Sequence, residues 1–381
     1  MSGSSLDGLD LAVCRFVLSE DDDGGPCVAE WSVRAAATDA YPRPWRARLR
    51  SAPHLPAAEL WRLHTDLGHW FGQRARAFLD QHPDLPVDLC GSHGHTVFHD
   101  PGRGFTVQIG DGAALAHRLG LPTVTELRGA DVAAGGQGAP LAPLADNYLL
   151  GDYDGHLNLG GIANLSWRTG GGDYLAGDVS GCCQILDRLA QRAGSDYDRG
   201  GRLAASGRPA PAVAQKIAAL PYHQLDYPKS LDNGWVRDEL WPLLDDRAVP
   251  ATDLLHTFTR WLAKKIAYDL GAVAGAEQGA ERSAGGYRIL IAGGGAHNDY
   301  LVEQLRATQD PERPHFRFEV ADDTTVDFKE AALIALAALF RVRGIANALP
   351  AATGAARATV NGALFLPGPT VGPATKAAPL G

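Results

Sequence analysis

Three glycine-rich loops, each beside an apolar run typical of a strand, constrain this chain more than any other feature. They lie at residues 1–10, at Gly160-Gly161 and at Gly293-Gly294-Gly295. Glycine lets backbone N–H groups approach a phosphate closely, and a glycine run between a strand and a helix lets a flat group such as adenosine lie against the backbone. Each loop alone is explained as well by an ordinary turn. Their order along the chain therefore carries more information than any one of them.

The first loop reads Met1-Ser2-Gly3-Ser4-Ser5-Leu6-Asp7-Gly8-Leu9-Asp10. Ser4 and Ser5 can donate hydrogen bonds to phosphate oxygens, and Asp7 or Asp10 can hold Mg²⁺ or its waters. The simpler interpretation is a Gly/Ser turn between two strands.

The other two loops follow apolar strands. Residues 156–167 predict two short strands around Gly160-Gly161, a hairpin whose tip can offer a second grip on phosphate. Residues 287–292 predict a strand that runs into Gly293-Gly294-Gly295 and then into a helical pattern.

The rest of the chain predicts an alternation of helices and strands with a domain border near residues 146–154. Helices are predicted at Ala57–Asp80, Cys182–Ala193, Leu254–Ala274 and Glu330–Arg343, and strands at Leu9–Phe16, Leu89–Ser92, Phe105–Ile109 and Tyr174–Val179. Residues 352–381 are rich in Ala, Gly and Pro, and their end is predicted to be a loose tail.

Composition excludes several classes of protein. The chain has 381 residues, 45% of them hydrophobic and 21% charged, which is ordinary for a globular protein with two domains. No stretch reaches the roughly 18 uninterrupted apolar residues of a membrane-spanning helix, and no secretory signal is present, so we expect a cytoplasmic location. A net charge of −9 without a basic cluster argues against nucleic acid as a partner.

Cysteine and histidine usage gives no metal-binding pattern. The five cysteines form no spaced pairs, which fits a reducing compartment. Cys182-Cys183 could form a redox switch, but burial as small apolar side chains is the better interpretation. His93, His95 and His99 lack an acidic or cysteine partner at ligand spacing, so a metal site there is disfavoured.

Asp178 is the best candidate for a catalytic base. It lies at the end of the strand predicted at Tyr174–Val179 and just before the predicted helix at Cys182–Ala193. The dipole of that helix is expected to favour the ionised carboxylate, which can accept a proton from water. Local sequence alone fits a helix-capping or turn aspartate slightly better.

The order of the three loops resembles that of the acetate and sugar kinase, heat-shock protein and actin superfamily, and six sequence blocks narrow the resemblance to the anhydro-N-acetylmuramic acid kinase family. The blocks run in order from Met1 to about Pro367. They are residues 1–10, Ser92-His93-Gly94-His95-Thr96, Gln108-Ile109-Gly110-Asp111-Gly112, Gly135-Gly136-Gln137-Gly138-Ala139-Pro140-Leu141, Asn158-Leu159-Gly160-Gly161-Ile162-Ala163-Asn164 and Gly293-Gly294-Gly295-Ala296-His297-Asn298.

The resemblance implies an α/β fold with two ribonuclease-H-like domains of the sugar kinase and actin type facing a central cleft. Residues 1–150 and 345–381 would form the first domain, and 151–344 the second. The implied reaction uses ATP and Mg²⁺ to open the 1,6-anhydro ring of 1,6-anhydro-N-acetylmuramic acid hydrolytically and to phosphorylate O6, in the salvage of cell-wall peptidoglycan fragments. A small-molecule sugar and ATP are the implied partners, and a homodimer is left open.

Site residues carry over from the family block by block. Asp178 falls on the catalytic aspartate, and Asp7 would hold the metal. Sugar contacts are implied for His93, His95, Arg128 and Glu330, although Arg128 could equally form a surface salt bridge and Glu330 could simply open a helix. Pro228-Lys229-Ser230 matches a family loop whose role the residues do not explain. Nucleotide contacts are implied for Gly3, Ser4, Ser5, Leu6, Asp7, Gly8, Leu9, Asp10, Asn158, Gly160, Gly161, Asn164, Gly293, Gly294 and Gly295.

The sequence departs from the family pattern at a few positions. Ser4 stands where threonine is usual, Gly181 where proline is common and Cys183 where asparagine is common. Gly181 is expected to loosen the turn that positions Asp178, and Cys183 removes an amide. The chain also begins at the first loop, without the apolar residues expected before it. Two alternatives stay open: a kinase of a related anhydro sugar such as levoglucosan, and a non-catalytic nucleotide-binding relative, which the altered turn after Asp178 supports.

Overall fold

We analysed a computed structural model of the chain. It describes residues 1–3, 6, 8–21, 24–170, 174–276, 286–308 and 315–368. The predictions made for Ser4, Ser5 and Asp7, and for the tail beyond residue 368, lie outside the described residues.

The strands are described first. In chain order they are β1 (Gly8–Glu20), β2 (Pro26–Ala40), β3 (Cys90–Gly91), β4 (His95–Asp100), β5 (Phe105–Ile109), β6 (Thr123–Thr125), β7 (Gly155–Leu159), β8 (Ile162–Arg168), β9 (Tyr174–Gly181), β10 (Tyr287–Ala292), β11 (Phe316–Val320) and β12 (Ala363–Phe365).

The helices of the described residues include three of more than 20 residues, and the others are short. They are α1 (Arg43–Ser51), α2 (Ala57–Asp80), α3 (Gly112–Leu119), α4 (Gly129–Ala133), α5 (Ala142–Tyr148), α6 (Cys183–Arg192), α7 (Arg202–Ser206), α8 (Pro211–Ala218), α9 (Asn233–Trp235), α10 (Trp241–Leu244), α11 (Ala251–Ala276), α12 (Asp299–Ala307), α13 (Asp323–Arg343) and α14 (Pro350–Thr353). Single turns of 3₁₀-helix lie at Ala52–His54, Pro101–Arg103, Arg199–Gly201, Pro221–Gln224 and Gly294–His297, and a π-helical turn lies at Val236–Leu240.

The chain divides into two compact units. The first unit contains Met1–Gly138, Ala331–Ala348 and Ala355–Gly381, and the second contains Ala139–Glu330 and Leu349–Gly354. The chain therefore enters the second unit before the border expected near residues 146–154, and it leaves before residue 345.

One five-stranded sheet forms the framework of the second unit, in the order β11-β10-β7-β8-β9. β7, β8 and β9 are antiparallel neighbours, whereas β10 and β11 run parallel to β7 on its other side. An antiparallel meander continued by two parallel strands is the ribonuclease-H-like arrangement, so the α/β prediction is confirmed in this unit. α11 packs against α6, α7 and α12, and it buries Phe258 and Leu262 completely.

Strands of the first unit form three smaller sheets. β1 and β2 make a long antiparallel hairpin, β4 and β5 a short one, and β12-β6-β3 a three-stranded sheet. The core lies around α2, whose buried side chains include Leu63, Leu67 and Phe71. Their spacing of four residues puts them on one helix face, which explains why the apolar periodicity predicts this helix.

The helix predicted at Glu330–Arg343 begins earlier than expected, at Asp323. Asp322 caps it, because its carboxylate accepts bonds from the amide and the hydroxyl of Thr325, at 3.0 and 2.7 Å. The first two turns are mostly polar, so apolar periodicity did not reveal them. Glu330 consequently lies inside the helix and does not open it.

None of the helices in the described ranges is long and apolar enough to cross a membrane.

Candidate active site

Asp178 lies within β9, where backbone bonds from a later segment fix it. Its amide donates to the Lys229 carbonyl at 2.9 Å, and its carboxylate Oδ2 accepts from the Leu231 amide at 2.9 Å. The Tyr222 hydroxyl donates to the Asp178 carbonyl at 2.7 Å. The residue is half-buried, and Oδ1 has no hydrogen-bond partner among the described residues. One carboxylate oxygen is therefore held, and the other can accept a proton.

The prediction that a helix dipole sets the ionisation of Asp178 is wrong. β9 continues to Gly181 and α6 begins only at Cys183, so Asp178 is not next to the helix. Burial raises the pKa of the carboxyl to about 6, and the Leu231 amide opposes this rise. Such a group is mostly ionised at pH 7, yet it is a stronger base than an ordinary aspartate.

Residues of three neighbouring strands form a row that includes Asp178. Asn158 of β7 lies opposite Asn164 of β8, and Asn164 lies opposite Asp178 of β9. Directly opposite residues of antiparallel strands point to the same face of a sheet. A β-bulge follows at Val179, and bulges often re-aim a side chain next to an active site. The second phosphate hairpin and the candidate base, which the sequence proposes separately, thus share one face.

The hairpin tip at Gly160-Gly161 is tied to the start of α6. The amides of Cys182 and Cys183 donate to the carbonyls of Gly161 and Gly160, at 2.8 and 3.0 Å. A Cβ atom added at Gly160 would meet no atom closer than 3.5 Å, and one added at Gly161 none closer than 3.9 Å. Neither residue has a positive φ. Packing against the described part of the chain therefore does not require glycine here, whereas close approach of a ligand would.

The third loop contacts the same hairpin. Gly293 follows Ala292, which pairs with Asn158, and it has a φ of 81°. A Cβ at Gly293 would lie 2.5 Å from Asn158 Oδ1, so this glycine is required by the fold. Gly294 is exposed and faces open space. It therefore offers backbone that a ligand can approach.

The described part of the first loop lies in the first unit. Gly8 begins β1, and a Cβ there would lie 2.7 Å from Thr38 Cγ2. Thr38 Oγ1 donates to Asp10 Oδ1 at 2.7 Å. Leu6 is buried in the left-handed region at φ 60°, which strains a leucine, and its amide donates to the Gly3 carbonyl at 3.4 Å.

His93 and His95 lie in the first unit as neutral, buried side chains. Burial lowers their pKa values to about 3 and about 4. His95 Nδ1 lies 3.3 Å from Ser2 Oγ, which accepts a bond from the Tyr41 hydroxyl at 2.8 Å. Since neither histidine carries a charge at pH 7, both can only serve as hydrogen-bond donors and acceptors. No group of three potential metal ligands is found in the described ranges.

Arg128 does not form the surface salt bridge that was one interpretation of it. Its Nε donates to the Gly138 carbonyl at 2.7 Å, and Nη2 lies 3.3 Å from His99 Nε2. Burial lowers its pKa to about 10, which leaves it charged at neutral pH. The Asp131 carboxylate is near enough to oppose this fall in pKa, although it forms no ion pair with the guanidinium among the described residues. A half-buried guanidinium in this state suits an anionic ligand.

Comparison with known proteins identifies the family. The family model for anhydro-N-acetylmuramic acid kinase matches residues 1–367. The chain belongs to the anhydro-N-acetylmuramic acid kinase family.

Curated anhydro-N-acetylmuramic acid kinases from three bacteria match almost the whole chain. That of Synechococcus elongatus is 33% identical, with 96% of this chain and 98% of the relative covered. The enzyme of Methylobacterium nodulans is 34% identical with the same coverage, and that of Acidiphilium cryptum is 34% identical over 97% of this chain and 98% of the relative. Membership places this chain among ATP-using kinases, which transfer phosphate to an alcohol group.

The structure shows the contacts made at two of the positions that depart from the family pattern, Gly181 and Cys183. Gly181 pairs with Ile162 at the end of β9, and a Cβ there would lie 2.9 Å from Val236 Cγ1. The sheet and its packing thus hold the segment that Gly181 was expected to loosen. The Cys183 thiol donates to the Leu159 carbonyl at 3.4 Å, next to the hairpin tip. Cys182 is buried, as the apolar interpretation predicts.

The sequence did not predict two buried pairs of a lysine and an aspartate. Lys329 contacts Asp146 in the second unit, next to Glu330, which is exposed on α13. Lys229, in the loop without a derived role, lies 3.6 Å from Asp269 of α11. Neither pair has a local signal, because the partners lie 183 and 40 positions apart.

Proposed function

We propose that this chain is the ATP-dependent kinase that opens 1,6-anhydro-N-acetylmuramic acid and phosphorylates its O6. The products would be N-acetylmuramic acid 6-phosphate and ADP. The row of Asn158, Asn164 and Asp178 carries the proposal, because it sets a base with a pKa of about 6 on the face that also presents the phosphate hairpin. The likeness to curated enzymes of that name along the whole chain supports the substrate.

The chemistry needs a base for water, since O6 of the anhydro sugar is bonded to C1 and has no proton to lose. Water attacks C1 while Asp178 Oδ1 accepts one of its protons. The C1–O6 bond breaks, and its electron pair goes to O6. O6 then bonds to the γ-phosphorus of ATP as the bond to the β-phosphate oxygen breaks and ADP leaves. The Leu231 amide keeps Oδ2 occupied, so Oδ1 is the oxygen that takes the proton.

Gly160, Gly161 and Gly294 would approach the nucleotide, because packing among the described residues does not explain these glycines. Mg²⁺ usually takes one or two carboxylates in addition to phosphates and waters. Asp10 fits such a role, since the Thr38 hydroxyl engages only its Oδ1. We assign Asp7 the same role from the family motif. When bound, the ion would neutralise charge on the β- and γ-phosphates.

Sugar recognition is proposed for the four residues that the family motifs name. Arg128 would hold the carboxylate of the lactyl group, because it is charged and half-buried, and its guanidinium bonds the Gly138 carbonyl and His99 rather than a carboxylate among the described residues. His93 and His95, both neutral, would bond sugar or amide oxygens, and Glu330 would accept from hydroxyls. We place the reaction in the cytoplasm, where ATP and reduced thiols such as the five free cysteines occur.

The test is ADP release with ATP and Mg²⁺ in the presence of 1,6-anhydro-N-acetylmuramic acid, levoglucosan or no sugar. Turnover only with the muramic sugar, and its loss in Asp178→Asn, is the expected result. Turnover with levoglucosan alone would assign the chain to the related anhydro sugar. ATP binding without turnover on either sugar would contradict the proposal and favour a non-catalytic relative.

A further inference from the structure

A short segment, residues 225–231, bonds to both the backbone amide and the carboxylate of Asp178. Lys229 supplies the carbonyl and Leu231 supplies the amide. The segment lies directly on β9, because a Cβ at Gly177 would be 2.6 Å from the Lys229 carbonyl oxygen and 2.8 Å from the Tyr227 ring. The position of this segment therefore determines the position of the base.

Lys229 has a buried side chain that anchors the segment. Nζ donates to the Leu225 carbonyl at 3.1 Å and lies 3.6 Å from Asp269 Oδ2. It also lies 4.6 Å from the centre of the Tyr227 ring and 5.4 Å from that of Tyr222. Only 2% of the side chain is exposed. The ammonium group thus links two points of the segment to α11.

We propose that Lys229 is a positioning residue for Asp178, acting by tying residues 225–231 to Asp269 of α11. The inference rests on the proposed function, since it concerns the base of that reaction. Lys229 does not touch the Asp178 carboxylate, and it acts through its own carbonyl and through the Leu231 amide. A displaced segment would release Oδ2 and let the carboxylate turn away from its water.

The same carboxylate provides a matched control. Asp269 also accepts from Lys265 Nζ at 2.6 Å and from the Tyr227 hydroxyl at 3.0 Å. Lys265 lies on α11 itself, four positions before Asp269, and among the described residues it meets the segment only at the Lys229 ammonium, whose pKa it lowers as a like charge. Lys229→Met and Lys265→Met therefore each remove one ammonium from Asp269 and leave it two partners. Only the first variant releases residues 225–231.

The pH profile around Asp178 involves several ionisable groups. Some of these groups lie next to Asp178, and the others lie next to its neighbours. They are Tyr222 and His223 from the 3₁₀ turn, Tyr227 and Lys229 from the segment, and Lys265 and Asp269 from α11. Lys265→Met changes the charge of this group by the same amount as Lys229→Met. A purely electrostatic effect would consequently appear in both variants.

The experiment compares both variants with the wild type by hydrogen exchange of residues 225–231 and by kcat against pH. In Lys229→Met we expect faster exchange of the Leu231 amide, a kcat about tenfold lower with KM for ATP unchanged, and an acid limb moved to higher pH. Lys265→Met should match the wild type, and Lys229→Arg should recover part of kcat. Should Lys229→Met not fold, Tyr227→Phe releases the segment's second bond to Asp269 and is expected to give a smaller shift of the same kind.

Equal exchange and equal pH profiles in Lys229→Met and the wild type would overturn the inference. So would the same changes in Lys265→Met. Failure of the proposed function would be seen differently. The wild type would show no sugar-dependent turnover, or Asp178→Asn would retain that turnover. Hydrogen exchange then still decides whether Lys229 holds the segment.

Discussion

Asp178→Asn should make the protein more stable while it removes turnover. Burial raises the pKa of Asp178 to about 6, against about 3.9 for an aspartate in an unfolded chain. The folded state therefore holds the proton more tightly than the unfolded chain, so this carboxyl lowers stability progressively as the pH rises from about 4 to about 6, and its full cost persists at higher pH. Asparagine has nearly the same shape, can accept the Leu231 amide bond through its own oxygen and never ionises.

The magnitude follows from the two pKa values. Each pKa difference of one corresponds to about 1.4 kcal/mol, so the complete effect above pH 7 is about 3 kcal/mol, and at pH 5 it is about half of that. Water around the half-buried carboxylate reduces the penalty, and we expect a gain of about 2 kcal/mol at pH 8. For a domain of this size such a gain raises Tm by roughly 4–8 °C.

The assay is thermal unfolding by calorimetry at pH 5 and pH 8, with Asp226→Asn as the control. Asp226 is an exposed carboxylate in the same segment, and its replacement should change stability by less than about 0.5 kcal/mol at either pH. The reasoning is refuted if Asp178→Asn is no more stable than the wild type at pH 8. It is refuted equally if the gain is the same at both pH values.

Three further outcomes are expected. The ratio kcat/KM should be half-maximal near pH 6 and about a tenth of its plateau at pH 5, because the Asp178 base must be ionised, and a pH-independent rate would exclude it. Gly161→Ala should raise KM for ATP and leave Tm unchanged, whereas Gly293→Ala should lower Tm because Gly293 has a φ of 81° and contacts Asn158. If ATP titrations and melting curves showed the opposite effects, Gly161 would not be the glycine that a ligand approaches, and Gly293 would not be the one that the fold requires. Lys329→Met should lower the free energy of unfolding by about 3–5 kcal/mol, because it leaves the buried Asp146 carboxylate beside a mostly neutral histidine, His156. A loss below about 1 kcal/mol in urea titrations would show that Lys329 does not stabilise the Asp146 charge.

Local patterns predicted several elements well. The helix at Ala57–Asp80 and the strands at Phe105–Ile109 and Tyr287–Ala292 have the predicted bounds, because apolar spacing and flanking prolines or glycines act over a few residues. The two strands around Gly160-Gly161 are confirmed for the same reason. The start of α13 at Asp323 was missed, although the capping Asp322 gave a usable local signal.

The family and the identity of the candidate base were available from the sequence, since motif blocks keep their order however the chain folds. The ionisation of Asp178 was not, because it depends on burial under residues 222–231, more than 40 positions away. The tie between Lys229 and Asp269 was equally inaccessible, as an ammonium and a carboxylate on separate elements leave no spacing to detect.

The sequence by itself thus determined which residues could bind phosphate and accept a proton, because those capacities belong to the chemistry of each side chain and to short loops. Only the tertiary structure decided that Asn158, Asn164 and Asp178 share one row of a sheet, and that the carboxyl titrates near pH 6. Strand register and desolvation are properties of distant segments packed together, and no local stretch of the chain encodes them alone.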